Sequence, residues 1–378
     1  MKRKNLMTPG PSPVPPFVRE MLAKEIIHHR TDEFRNILAD VHQGLKDLLL
    51  TKNPVAVLSA SGTGAMEAAV SNLFSKGDKV ITIAGGKFGQ RWTEIANNFS
   101  LDVIEMEINW GDAPDPKEVE KVLSENEGVK AVLTTLCETS TATVYDIENI
   151  AKVAKKAGAI TVVDAISGLG QDKLLTDQWG VDVVVSGSQK GLMLPPGLSF
   201  ISINDKAKDL MEKSDLPKYY FDLKKALGKH KTNDTPYTPA VTLVIALAAA
   251  LGQINKEGIQ NRWKKFAKLA KATKAAAEAL GLSLLSSSPS ASATAIKVPD
   301  NIKSSDIVKL LRNEYGLSIA GGQAQLKDKI IRIAHMGWIN EQDLISCFSL
   351  LEVALKKMGH KFNTGSSLTQ LEEVLYGG

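Results

Sequence analysis

The sequence is poor in cysteine: Cys137 and Cys347 are the only two in 378 residues. Two thiols so far apart supply neither a disulfide framework nor a zinc-ligand cluster, so a reducing, cytoplasmic setting is expected. Charge of one sign is missing as well. Lys and Arg number 46 against 42 Asp and Glu, and the positive residues are dispersed. That pattern leaves no footprint for nucleic acid or an anionic lipid surface. Long hydrophobic runs are also absent. The longest, Val241 to Leu251 broken only by Thr242, is too short to span a bilayer and is Ala-rich like a buried helix. The basic start Met1-Lys2-Arg3-Lys4 is followed by prolines where a signal peptide would carry its apolar stretch.

What is present suffices for two domains sharing a substantial core, since 43% of the residues are hydrophobic. Thr8-Pro9-Gly10-Pro11-Ser12-Pro13-Val14-Pro15-Pro16 cannot be helical, because proline fixes φ and restricts the residue before it. Residues 1–16 therefore read as an extended arm, laid across another surface or left loose. A helix is expected from Thr31 or Asp32, with Phe34, Ile37, Leu38, Val41, Leu45 and Leu48 on one face. From Val55 onward strands and helices alternate, which predicts an α/β fold with a largely parallel sheet. The expected strands are 55–58, 79–84, 101–108, 129–135, 159–164, 181–186 and 198–203. Helices are expected at 65–74, from about Gln90, after Asp115 and after Asp146. In such sheets ligands gather at the carboxyl ends of the strands.

The loops at those ends carry the chemistry. In Ser59-Ala60-Ser61-Gly62-Thr63-Gly64-Ala65, small and hydroxylated residues join a strand to a helix, and free N–H groups at a helix start suit a phosphate. A tight N-cap with no ligand fits this segment equally well. Phe88, set among glycines in Gly85-Gly86-Lys87-Phe88-Gly89, can stack on a flat ligand, whereas Trp92 suits the core. Cys137-Glu138-Thr139-Ser140-Thr141 is a further hydroxyl-rich strand end. Asp164 closes the run Ala159 to Val163, and a carboxylate there needs a cation or donors. Val181 to Val185 delivers Ser186-Gly187-Ser188-Gln189-Lys190-Gly191. Alone, Lys190 reads as a surface lysine at a strand end. Held among small residues it has little room to reach water, and desolvation would leave an amine able to attack a carbonyl. A phosphate cradle, a stacking aromatic, an acid and a lysine form the set that pyridoxal phosphate requires.

The blocks Thr8-Pro9-Gly10-Pro11-Ser12, Ser61 to Glu67, Val163-Asp164-Ala165, Ser186 to Lys190 and Ile331-Arg332-Ile333-Ala334-His335 follow one another in a recognisable order. In them the chain resembles the class V aminotransferases of fold type I, specifically the alanine–glyoxylate and serine–glyoxylate (serine–pyruvate) group. The resemblance implies a large cofactor domain with a mostly parallel seven-stranded sheet, residues 17–257, and a smaller C-terminal α/β domain, residues 258–378. It implies that Lys190 is the Schiff-base lysine and that Asp164 pairs with the pyridine nitrogen. Phe88 and Ile166 would pack on the two ring faces. Ser61, Gly62, Thr63 and Gln189 would hold the phosphate, and Thr139 would lie near the ring hydroxyl. Thr238 would reach the phosphate of the neighbouring subunit, which implies a homodimer with its sites at the interface. Arg332 would bind the substrate α-carboxylate, with Gly10 close to the substrate. The implied reaction is ping-pong transfer of an amino group from serine or alanine to glyoxylate or pyruvate. Two other readings stay open, a lyase or cysteine desulfurase, and a non-catalytic subunit resembling the small subunit of a soluble hydrogenase.

In the C-terminal part, Trp263, Phe266, Leu269 and Ala270 read as the buried face of a helix whose lysines are solvated, and Ser283 to Ala293 as an exposed loop. A strand is expected at 294–298, helices at 304–315 and from Asn340 to about Met358, and a turn at Gly321-Gly322 near the site. His335 reads as lining the pocket or as structural. The tail after Phe362 carries no signal.

Overall fold

The computed structural model describes residues 4–377, so the first three residues of the expected arm lie outside the described residues. Seven strands build the main sheet: β1 (Val55–Leu58), β2 (Lys79–Ala84), β3 (Asp102–Glu107), β4 (Ala131–Thr135), β5 (Ile160–Asp164), β6 (Val183–Gly187) and β7 (Ser199–Ile203). Their order is β1-β7-β6-β5-β4-β2-β3, and only β7 runs against its neighbours. Successive side chains of a strand point to opposite faces. Val132, Val163 and Val184 accordingly enter one core, while Leu133, Val162 and Val185 enter another on the far face. Both faces are apolar because helices cover both, the expected state of a parallel sheet.

The helices follow from local chemistry. Helix α1 (Pro16–Leu22) has proline at its first position, where no N–H is needed. Helix α2 (Asp32–Leu49) is capped by the Thr31 hydroxyl, which accepts from Phe34 N, and buries Phe34, Leu38, Val41, Leu45 and Leu48. Helix α3 (Gly62–Leu73) follows β1, and helix α4 (Lys87–Asn98) follows β2. Both begin three residues earlier than propensity suggests, because Gly62, Gly64 and Gly89 are used for close packing rather than for breaking the helix. A Cβ on Gly89 would run into the Ile83 carbonyl of β2.

Beyond the helix Val241–Glu257, the chain turns at Gly258 into Ile259–Ala279. A third core forms around the three-stranded sheet β8 (Ala293–Lys297), β9 (Ala320–Gly321) and β10 (Ile330–Ala334). Helix α1 was not among the expected elements, and neither was the helix Ser366–Tyr376 of the tail, whose Leu371 and Leu375 are buried. Two expectations need correction here. The buried face of Ile259–Ala279 begins with Arg262, not Trp263, because the Arg262 guanidinium donates to Glu257 Oε2 (2.8 Å) and to the Gly191 carbonyl (3.1 Å). The 283–293 segment is not an exposed loop, since Ser290 and Ser292 are buried. Among the described residues no helix is long and apolar enough to cross a membrane.

The arm lies across its own chain. Asn5–Leu6 pairs in parallel with Leu317–Ser318, Met7 is buried in the C-terminal core, and Ser12 N donates to the Gln189 carbonyl (2.9 Å). Gly89→Ala should destabilise the fold by about 1–3 kcal/mol, because α4 must lift from β2. A denaturation midpoint equal to that of the wild type would refute the close-packing account.

Candidate active site

Five loops leave the main sheet at the carboxyl ends of β1, β2, β4, β5 and β6, and they converge on one edge. Lys190 follows β6 in a turn pinned on several sides. Ser188 Oγ donates to the Pro195 carbonyl (2.7 Å), Met193 N donates to the Lys190 carbonyl (3.0 Å), and Ser12 Oγ donates to the same carbonyl (2.7 Å). The Lys190 side chain is buried, and its ammonium donates to the Pro9 carbonyl of the arm. Burial pushes its pKa down to about 8, with Asp164 pulling the other way. Gly10 has a positive φ of 109°, and a Cβ there would overlap the lysine amine.

Asp164, the last residue of β5, is buried and accepts from Ile166 N (2.8 Å). Burial raises its pKa to about 7, and the Ile166 amide opposes the rise. Ile166 in turn lies against Gly62, where no Cβ would fit. Ser61 is the N-cap of α3 but makes no side-chain capping bond, so its hydroxyl and the first-turn amides do not satisfy one another. The Cβ position of Gly187 lies 3.2 Å from Gln189 Oε1 and 3.4 Å from Gly62 N, so the Gln189 amide and the start of α3 converge. Gln189 Oε1 is buried without a partner. Thr63 Oγ1 accepts from Arg91 Nη1 (3.1 Å), and the Arg91 guanidinium stands 5.0 Å over the Phe88 ring.

Phe88 does not sit on a flexible turn. It occupies the first turn of α4, and Glu138 holds that turn. The Glu138 carboxylate accepts from Phe88 N (3.1 Å), Gly89 N (2.8 Å), Ser140 N (3.0 Å) and Ser140 Oγ (2.5 Å). A carboxylate at a helix start complements the dipole, which offsets part of the cost of burying it. Desolvation still raises its pKa. Trp92, on the same helix, is a core residue whose indole donates to the Thr134 carbonyl (3.0 Å).

Arg332 comes from the other sheet. On β10 it is flanked by Ala295 and Ala320, whose small side chains leave it space. Its guanidinium donates to the Gly321 carbonyl through Nε (3.1 Å) and Nη2 (2.9 Å), and to the Thr139 carbonyl through Nη1 (2.8 Å). Burial lowers its pKa to about 10, against the pull of Glu138, so it stays charged at neutral pH. Thr139 Oγ1 donates to Ser167 Oγ (2.6 Å). His335 does not line the site: it is fully buried, with Nδ1 against the Ala291 carbonyl (2.7 Å) and Nε2 against Thr294 Oγ1 (2.9 Å). Its pKa falls to about 4 through desolvation, so it is neutral. Thr238 stands apart, exposed in the irregular 231–240 stretch, where it lines a small cleft with Ser59, Tyr220 and Tyr237.

The orphaned Gln189 Oε1, the uncapped start of α3 and the desolvated Lys190 beside Asp164 fit a phosphate, a flat ring and an aldehyde. The Aminotransferase class-V family model matches residues 17–342. The chain belongs to the class V aminotransferases. It is 33% identical to a serine–glyoxylate aminotransferase of Methylorubrum extorquens, over 99% of this chain and 96% of that one. It is 40% identical to a protein of Anabaena cylindrica named soluble hydrogenase 42 kDa subunit, over 98% of each chain. Among solved structures, the ureidoglycine–glyoxylate aminotransferase of Bacillus subtilis superposes with a TM-score of 0.94 at 25% identity, covering 99% of this chain and 98% of that one. The fold is that of the fold type I enzymes, and the cofactor of this aminotransferase is pyridoxal phosphate.

Two residues at this edge of the sheet, Glu138 and Arg91, escaped sequence reasoning. Glu138 carried the same signal as Asp164, an acid just past a buried strand, but its hydroxylated neighbours drew attention instead. Arg91 looked like an ordinary helix residue, since nothing local shows that one helical turn places it over Phe88. A carboxyl with a raised folded pKa favours the folded state when protonated, and that contribution is lost as pH rises from its unfolded value of 3.8 through about 7. Asp164→Asn should therefore flatten the decline of cofactor-free stability over this window, by on the order of a few kcal/mol. Denaturant midpoints at stepped pH test this, and parallel curves for the two proteins would contradict it.

Proposed function

We propose that the protein transfers the amino group of a small amino acid, serine or alanine, to glyoxylate or pyruvate by a ping-pong mechanism. The observation that carries this reading is the convergence of a desolvated amine at Lys190, a buried acid at Asp164 and a buried guanidinium at Arg332. Pyridoxal phosphate, when bound, supplies an aldehyde and an electron-withdrawing ring that stabilises negative charge at the substrate α-carbon. Ser61, Gly62, Thr63 and Gln189 would hold its phosphate, with Arg91 adding positive charge. Phe88 and Ile166 would flank the ring, and Thr139 would lie near its hydroxyl. Asp164 would hold a proton on the ring nitrogen. Lys190 Nζ would take the α-proton of the donor as a general base, and would give a proton to the α-carbon of the acceptor as a general acid. A pKa near 8 keeps an appreciable neutral fraction available at pH 7. Arg332 binds the α-carboxylate of donor and acceptor, a planar task that lysine performs poorly.

Preference for small substrates is supported by the arm, since Pro9 and Gly10 crowd the lysine amine. Glyoxylate as acceptor is supported by the names of the relatives described above. The exposed Thr238, with Tyr219 and Tyr220 on the same surface, suits a second subunit whose phosphate Thr238 would reach, so we propose a homodimer. The division into an arm at 1–16, a cofactor domain at 17–257 and a small domain at 258–378 belongs to the same proposal, as does residence in a reducing cytoplasm. Desulfurase chemistry is disfavoured, because Cys137 and Cys347 are buried and desolvation pushes both thiols up to about 12. The hydrogenase-subunit reading has the Anabaena relative in its favour, but a purely binding role leaves the buried amine, acid and guanidinium without a task.

Lys190→Ala is expected to abolish both turnover and the visible absorption of bound cofactor, and persistent turnover would overturn the assignment. Cofactor capture by the wild-type protein should quicken as pH rises to about 8 and then level off. Arg332→Lys should raise KM for donor and acceptor alike by about tenfold or more. A panel of donors against glyoxylate, pyruvate and 2-oxoglutarate decides the substrates, and an absolute preference for 2-oxoglutarate would refute the glyoxylate reading.

A further inference from the structure

Asp172 is one of several buried carboxylates that take no part in the mechanism above. Asp172 follows the turn that begins at Asp164, and its backbone N–H donates to the Gly168 carbonyl (2.8 Å). Its side chain points away from the cofactor edge towards the C-terminal sheet. There Oδ2 accepts from Ser290 Oγ (2.6 Å) and Oδ1 accepts from Ala291 N (2.7 Å). Ser290 Oγ lies 2.8 Å from Ser292 Oγ, which lies 3.4 Å from Cys137 Sγ. Because the Ser290 proton goes to Asp172, Ser292 must donate to Ser290 and the Cys137 thiol to Ser292. The carboxylate thus orders a run of hydroxyls across the seam between the two sheets. All four side chains are buried.

The loop clasped in this way is tied to the substrate arginine. His335 N donates to the Ser292 carbonyl (3.1 Å), and the His335 ring bonds the Ala291 carbonyl, three residues past Arg332. On the other side, Ser167 of the 165–172 turn bonds Thr139, whose carbonyl receives Arg332. The Asp172 turn therefore meets β10 by two routes, one at the guanidinium and one at the end of its strand. Neutral backbone bonds support the second route, Val144 N to the Ser288 carbonyl (2.9 Å) and Ser290 N to the Ala142 carbonyl (3.0 Å).

We propose that Asp172 is a positioning residue of the aminotransferase, clasping the 290–292 loop so that Arg332 is held at a fixed distance from Lys190 when a carboxylate substrate arrives. Removal of the clasp lets the C-terminal sheet open, and substrate affinity drops by the fraction of time spent open. The inference rests on the reading of Arg332 as the carboxylate site, but its structural half does not need turnover. Cys137 lies in the seam and Cys347 in the C-terminal core, so the two thiols report seam opening and unfolding separately.

The test alkylates the full-length, cofactor-loaded enzyme with iodoacetamide and locates the label by peptide mass. In Asp172→Ala and in Ser290→Ala, Cys137 should react on the order of tenfold faster while Cys347 keeps its wild-type rate. The double variant should add little to either single one. KM for the carboxylate substrate should rise with the Cys137 rate, kcat should move less, and the visible cofactor absorption should stay unchanged. Acceleration of both cysteines together, or of neither, overturns the clasp. Faster labelling of Cys137 with KM unmoved overturns its positioning role. Failure of the Arg332 reading shows separately, as wild-type KM in Arg332→Lys.

Discussion

Burying charge is the constraint on which this protein depends. Lys190, Asp164, Glu138 and Arg332 are all withdrawn from water within one neighbourhood, and each would be costly there alone. None of them forms a direct ion pair with another. The backbone meets most of their needs instead: Pro9 serves the lysine, Ile166 the aspartate, Phe88 and Gly89 the glutamate together with the Ser140 amide and hydroxyl, and Gly321 and Thr139 the arginine. Carbonyls and amides are fixed dipoles that tolerate a charge without cancelling it. The lysine can still give up a proton and act as a nucleophile, the aspartate can exchange a proton, and the guanidinium keeps its positive charge.

Such dipoles must come from rigid places, and the main sheet supplies them. Five parallel strands end on one edge, and each end is followed by a turn whose geometry packing enforces. Gly89 seats α4 on β2, Gly62 lets Ile166 approach α3, and Gly10 lets the arm reach the amine. In each case a missing side chain lets two backbones meet where a charge has to be solvated. Arg262 extends the same economy across the molecule, reaching from the first turn of a C-terminal helix to the carbonyl of Gly191, beside the lysine.

Much of this was legible from the residues. The seven strands fall within two residues of their expected bounds, since Val-rich runs between turn residues have few alternatives. Lys190, Asp164 and the 61–63 loop stood out because each sits at a strand end, and the structure brings the three to one edge of the sheet. The misses share a physical cause. Glu138, Arg91 and Asp172 find their partners far away in sequence, at Gly89, Thr63 and Ser290, and local pattern carries no record of such partners. Ser290 and Ser292 looked solvated for the same reason, because a serine-rich stretch reads as exposed until a buried carboxylate is placed opposite it. Helix α1 was hidden by the prolines before it, although Pro16 itself starts the helix.

The pairing of Asn5–Leu6 with Leu317–Ser318 has a consequence during synthesis. The arm emerges first, but the strand it joins is made about 300 residues later. At typical elongation rates the arm waits on the order of 15–60 s for its partner. Through that interval the arm is tied to the main sheet only by Pro9 and Ser12, once residues 189 and 190 have been made. The nascent chain therefore has a main sheet able to form early, while the strand that carries Arg332 joins its edge only after residue 330 has been made.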